Sequence, residues 1–265
     1  MKAIYLDCFS GISGDMFLGA MMDAGIGLEE IQQGCSCLGL GISLKASRVR
    51  KMGISGTKAD VVVPDAVEER HLADILRIID DSGLPGDIKS LSGRVFRRLA
   101  EAEARVHGVP VEEVHFHEVG ALDTIADVVG AAICFKASGA EILCSSPVNV
   151  GSGFVKTSHG TLPVPAPATL ELLKGAPIYS SGINAELATP TGAAILAELC
   201  SCYGPMPIMR VERVGYGAGS KDLETPNLLR VIIGEAPKDA FKGRQAQTFQ
   251  AYVREPCPPR PSHSP

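Results

Sequence analysis

The chain has 265 residues, 45% hydrophobic and 21% charged, the balance of an ordinary globular protein with length enough for a sizeable core. A formal net charge of -5 and a pI of about 5.7 give no support for a nucleic-acid partner. No apolar run is long enough for a membrane span, and Asp7 interrupts what would be a signal core in MKAIYLDCF, so a cytoplasmic protein is expected.

The segment KAIYLDCF is β-rich and alternating, which predicts a first strand. The turn SGISGD leads into MFLGAMMDAG, a short helix closed by Gly25, and a second helix is predicted from about Leu28 to Leu38. SLKASRVRKMGISGTKADVVV reads as two strands around a glycine-containing connection, ended by Pro64. HLADILRIIDDSG and IKSLSGRVFRRLAEAEARVHG carry apolar residues at helical spacing, the longer helix stopping at Gly108. VHFHEVGALDTIADVV then predicts a strand, a turn and a helix from about Asp123 to Ala137, and EILCSSPVNVG returns as a strand.

HGTLPVPAPATLELLKG reads as a proline-rich extended segment feeding a helix. ATPTGAAILAELC places Thr189 as N-cap and Pro190 at the first helical position. MRVERVGYGAGS and NLLRVIIGEA complete the ordered part as two strands. The class is α/β or α+β, a mixed sheet with flanking helices whose strand order the sequence leaves open. Residues 1–236 form the globular region; residues 237–265, with five prolines in the last ten, read as a disordered tail that resembles translation in another frame.

Eight cysteines occur without a CxxC pair, so disulfides are not expected in a cytoplasmic chain. The CSC pairs at 35–37 and 200–202 read as small half-buried residues near helix ends, with thiolate ligation as the alternative.

Two groups of residues could carry chemistry. If residues 114 to 117 form a strand, His115 and His117 share one face and make a half-site for nickel, zinc or another borderline ion. Glu118 follows, and His159 in SHGTLPVPAP is a candidate further ligand. The bland alternative is a strand with partly exposed histidines entering a helix capped by Asp123, with Asp127 on the same helical face. The second group is YLDCFSGISGDMFLGA. Asp7 ends the first strand, and Ser13 and Gly14 bring free backbone N–H groups to a helix start, where an anion is favoured. Asp15 could hold a divalent ion beside a phosphate, or Ser13 and Asp15 could simply cap the helix. There is no GxxxxGK[ST] and no nucleophile elbow. The glycine-rich GYGAGSKD at 215–222 is a weaker candidate for a loop near a ligand.

Taken together, YLDCFSGISGDMFLGA, HFHEVGALDTIADVVGA, VGSGFVKTSHGTLPVPAPATLELLKG, ELATPTGAAIL and GYGAGSKD…PNLLRV resemble the nickel-pincer-cofactor nickel insertion family, in order from Met1 to about Gly234. The resemblance implies a cytoplasmic nickel chelatase of the lyase class. Such enzymes insert Ni(2+) into pyridinium-3,5-bisthiocarboxylic acid mononucleotide, giving the nickel pincer cofactor of lactate racemase. It also implies CTP and Mn(2+) or Mg(2+), placed by the family in a C-terminal domain that frameshifting or a separate chain would supply. A homo-oligomer is compatible with it. On the residue chemistry, His115, His117, Glu118 and His159 are the expected nickel ligands, and Asp7, Ser13, Gly14 and Asp15 the expected phosphate or cation contacts; no catalytic residue is assigned. Two other readings stay open: a nickel- or ligand-binding module inactive without the second domain, and a divalent-metal-dependent phosphoester hydrolase.

Overall fold

The computed structural model describes residues 1–64, 70–116 and 122–241. Strand β1 (Lys2–Asp7) leads into helices α1 (Gly14–Asp23) and α2 (Leu28–Ser36). The hairpin β2 (Ser43–Lys51) and β3 (Ile54–Val62) precedes β4 (Arg70–His71), α3 (Leu72–Asp81) and the long α4 (Gly86–His107). Strand β5 (His115–Phe116) pairs with β4 ahead of α5 (Leu122–Ala137). Next come β6 (Ile142–Ser145), β7 (Val148–Asn149), the hairpin β8 (Phe154–Thr157) and β9 (Gly160–Pro163), α6 (Pro167–Leu172) and β10 (Ile178–Tyr179). Helix α7 (Pro190–Leu199), β11 (Cys200–Tyr203) and the strands β12 (Arg210–Ala218) and β13 (Leu228–Glu235) complete the fold.

Seven strands form one mixed sheet in the order β11-β6-β1-β13-β12-β3-β2. The buried apolar run of β1 fits its central place, parallel to β6 and antiparallel to β13. This is the expected α/β mixed sheet with flanking helices, now with its strand order. Helix α1 lies directly on β12 and β3. The contact is close because three glycines remove side chains from it. A Cβ on Gly217 would stand 1.8 Å from the Met16 carbonyl oxygen, on Gly215 2.1 Å from that of Ala20, and on Gly19 2.3 Å from that of Thr57. Gly215 and Gly217 therefore belong to a strand and seat a helix, which corrects the expectation of a loop for the first half of GYGAGSKD; residues 219–222 lie beyond the end of β12. Helix α5 is apolar on nearly every side and packs among α1, α2, α4 and α7, as a helix enclosed by its neighbours must be.

Three further differences from the expected elements have local causes. EILCSSPVNVG is not one strand: β6 stays in the main sheet, whereas β7, beyond Pro147 with its missing donor, pairs with β10. The extended segment before α6 contains the hairpin β8–β9, whose tip carries His159. The second CSC pair does follow a helix end, Cys200 being the half-buried C-cap of α7, but it also opens the edge strand β11, and Cys202 is not free: it is disulfide-bonded to Cys144 of β6, with Cα atoms 4.8 Å apart. These two cysteines join Tyr5 and Ile232 in a small second cluster, against which Phe241 packs from the 3-10 turn Lys238–Phe241. The rest of the expected tail, from residue 242, lies outside the described residues.

Candidate functional site

A cleft of about 750 Å³ opens where the starts of α1, α5, α6 and α7 meet β3, the end of α4 and the β8–β9 hairpin. Two helix starts are fixed side by side in its wall. Ile12 donates its backbone N–H to Leu187 O at 3.0 Å, and Thr189 returns one to Ile12 O at 3.1 Å. The Thr189 hydroxyl accepts from Gly192 N at 3.2 Å, so α7 is capped as its sequence requires.

At the start of α1, Ser13 occupies the N-cap position in extended backbone, but its hydroxyl donates to the Asp15 carboxylate instead of capping the helix. Asp15 Oδ1 accepts from Met16 N at 2.9 Å, and Asp15 Oδ2 from Lys58 Nζ at 2.8 Å. Lys58 also reaches Asp60 at 3.3 Å. Burial alone would depress its ammonium, but the hydrogen bonds and charge of Asp15 and Asp60 prevail and hold its pKa above the usual value. Gly14 makes room for a second carboxylate, since a Cβ there would stand 2.2 Å from Asp127 Oδ2. Asp127 Oδ1 is shielded from solvent and has no hydrogen-bond partner among the described residues. Burial, reinforced by the charges of Asp15 and Asp123 and opposed by Lys58, raises the Asp127 carboxyl well above the ordinary range.

The lining of the cleft also carries imidazoles. His159, at the hairpin tip, donates its backbone N–H to Thr157 Oγ1 at 3.1 Å. Its ring centre lies 4.8 Å from that of His107, the last residue of α4, with the planes at 49°. Glu103, one turn back on α4, places Oε2 3.4 Å from His107 Nε2. Glu103, His107 and His159 all line the cleft.

Of the residues singled out by sequence, Ser13, Gly14, Asp15 and His159 therefore meet in one cleft. Asp7 takes a different place: it pairs with Arg230, its cross-strand neighbour on β13, and does not line the cleft. The backbone of His115 enters β5 opposite His71. The His115 side chain, and His117 and Glu118 entirely, lie outside the described residues. The chain on either side of them, at Phe116 and at Asp123 and Thr124, lines the cleft. Among the described residues, no group of three or more His, Cys, Asp or Glu side chains is gathered to hold a metal ion.

The model of the family described as nickel insertion protein matches residues 4–253, nearly the whole chain. The chain belongs to the nickel insertion family. It is 54% identical over 246 residues to the pyridinium-3,5-bisthiocarboxylic acid mononucleotide nickel insertion protein of Desulfitobacterium hafniense (strain DSM 10664 / DCB-2). That alignment takes in 92% of this chain and 61% of the relative. The protein of the same description from Geobacillus kaustophilus is 46% identical over 255 residues, 92% of this chain and 62% of its own length. The chain thus spans about three-fifths of these relatives, and the family match runs past Gly234, where the recognisable sequence motifs end. No solved structure matches it. Among the described residues, no helix is long and apolar enough to cross a membrane.

For a member of the nickel insertion family, the sequence reading missed Lys58, Glu103 and His107. Lys58 lies in an ordinary strand, and only the fold brings it to Asp15. His107 ends a helix, a place where its charge already suits the helix dipole, so its position alone signalled nothing more. Asp127 did leave a signal, one helical turn after Asp123, but its approach to Gly14 is a tertiary contact.

Proposed function

We propose that this chain inserts nickel into pyridinium-3,5-bisthiocarboxylic acid mononucleotide, or forms the part of a nickel chelatase that receives both substrates, and that the 750 Å³ cleft is where they meet. One observation carries the reading: the start of α1, the Lys58 ammonium, the start of α7 and the imidazole wall converge on a single cleft. Its volume lies within the roughly 300–1,000 Å³ typical of small-molecule sites. In this assignment the mononucleotide phosphate lies toward Lys58 and the adjoining helix starts, where N–H dipoles favour an anion. Ser13, Gly14 and Asp15 shape that end. Nickel is received at the histidine side, by His115, His117, Glu118 and His159.

The chemistry supports that division. An insertion site must give the ion up, so its ligands must compete poorly with the thiocarboxylate sulfurs of the substrate. Imidazole and carboxylate groups meet this requirement better than thiolates would. The buried cysteines agree with it: burial pushes the Cys8 and Cys35 thiols up to about 12, which leaves them protonated and weak as ligands.

The resemblance also implies CTP and Mn(2+) or Mg(2+). The described residues gather no three-ligand set for such an ion, so no step here is routed through it. In this proposal those cofactors belong to the part of the relatives' length that this chain does not span. The same partial span favours a second reading, a nickel- and mononucleotide-binding module whose turnover needs the remaining region in cis or in trans. The experiment is single-turnover nickel transfer to the mononucleotide, with CTP and manganese, by this chain alone and with the remaining region of a relative added. His115→Ala and His117→Ala should each slow transfer at least tenfold while leaving the fold intact. Transfer at the original rate in both variants would remove those histidines from the site.

A further inference from the structure

His107 has no part in the nickel set expected from sequence, yet it stands against His159 on the wall of the cleft. An imidazole bound through nitrogen at about 2.1 Å has its ring centre about 3.2 Å from the ion. Two rings sharing one ion then have centres about 4.5 Å apart at a right angle and about 5.2 Å apart at the tetrahedral angle. The observed separation of 4.8 Å falls between these values, with the rings tilted at 49° and not stacked in parallel. Glu103 adds an independent feature. Its carboxylate lies 3.4 Å from His107 Nε2, on the same helical face. Histidines that bind metal usually give their second ring nitrogen to such a carboxylate, which fixes the tautomer and leaves the other nitrogen for the ion.

We infer that His107, through Nδ1, and His159 together hold one nickel ion on the cleft wall, with Glu103 orienting the His107 ring. This rests on the proposed function and deepens it, by naming a two-imidazole station from which nickel passes to the mononucleotide. Two imidazoles fill only part of a nickel coordination sphere. Water occupies the other positions until the two thiocarboxylate sulfurs displace it, so transfer can begin before either protein ligand has left. Neither ligand is oxidised or covalently changed: the step exchanges nitrogen donors for sulfur donors around a divalent ion. The site should accept copper more tightly than nickel, as imidazole sites do.

The competing explanation is that the ring contact merely pins the β8–β9 hairpin to α4. Phenylalanine separates the two, because it keeps a ring and loses the ligand. Tag-free chain carrying His115→Ala and His117→Ala would be titrated with nickel chloride by calorimetry, then examined by nickel X-ray absorption. The same would be done after adding His107→Phe or His159→Phe, with melting curves to check the fold. Each Phe substitution should lower nickel affinity at least tenfold and reduce the imidazole count from two to one. Unchanged affinity in either Phe variant overturns the shared site, as does an imidazole count that does not fall. The titration contains no mononucleotide, so it stands apart from the proposed function: nickel held here without transfer would refute the function and leave the site.

Discussion

Asp127→Asn offers a test in which the sign follows from the structure. The Asp127 carboxyl lies against Gly14, with Oδ1 shielded and without a partner among the described residues. Burial, then the charges of Asp15 and Asp123, raise its pKa well above the ordinary value. In the unfolded chain the same group ionises near pH 3.9. Above about pH 4 the native state therefore holds a proton that the unfolded state has released, and stability must fall as pH rises. The slope approaches about 1.4 kcal/mol per pH unit for one such group, until the folded carboxyl itself ionises. Asparagine keeps the size of the side chain and carries no titrating group. The variant should match the wild type near pH 4 and become the more stable of the two toward neutrality, the gap growing by about 1 kcal/mol over the first pH unit. Urea unfolding of both proteins from pH 4 to 8 measures this. Parallel curves, or a variant that loses ground as pH rises, would refute the raised carboxyl.

Two predictions concern the frame that holds the cleft. Gly217→Ala would force a Cβ to within 1.8 Å of the Met16 carbonyl, which is backbone and cannot rotate away. Overpacking of this kind costs roughly 1–3 kcal/mol, and for a chain of this size the melting temperature should fall by several degrees, on the order of 2–4 °C per kcal/mol; an unchanged melting curve would mean that α1 does not lie on β12 this closely. A thiol titration of the unfolded, unreduced protein, read by peptide mapping, should label Cys8, Cys35, Cys37, Cys134 and Cys200 but not Cys144 or Cys202, because those two are joined. Label on Cys144 and Cys202 would place those two strands side by side without a bond.

What could be read in the sequence was local. Thr189 and Pro190 start α7 because a hydroxyl acceptor and a preset φ suffice. Gly108 ends α4 because its left-handed backbone, φ 66°, suits a residue without a side chain. Ser13, Gly14 and Asp15 were found through the turn they build, although the space beside Gly14 proved to hold Asp127. What could not be read was long-range. The two-residue strands β4 and β5 exist only through each other, and no periodicity marks them. The alternation around Lys58 looks like any half-buried strand until β3 is placed against α1. GYGAGS looks like a ligand loop because glycine marks close approach in general, and here the approaching group is a helix. Strands β5, β6, β7 and β8 and helix α5 all lie between His107 and His159 in the chain, so their contact belongs to the fold alone.

The central claim is that the mononucleotide occupies the cleft between the starts of α1 and α7 and the β8–β9 hairpin. Hydrogen exchange of this chain with and without pyridinium-3,5-bisthiocarboxylic acid mononucleotide tests it without altering a residue. The account predicts slowed exchange in peptides covering residues 13–16, 58–61, 155–162 and 189–192, and none over the distant half of β12. Protection elsewhere, or no protection at saturating ligand, would contradict it.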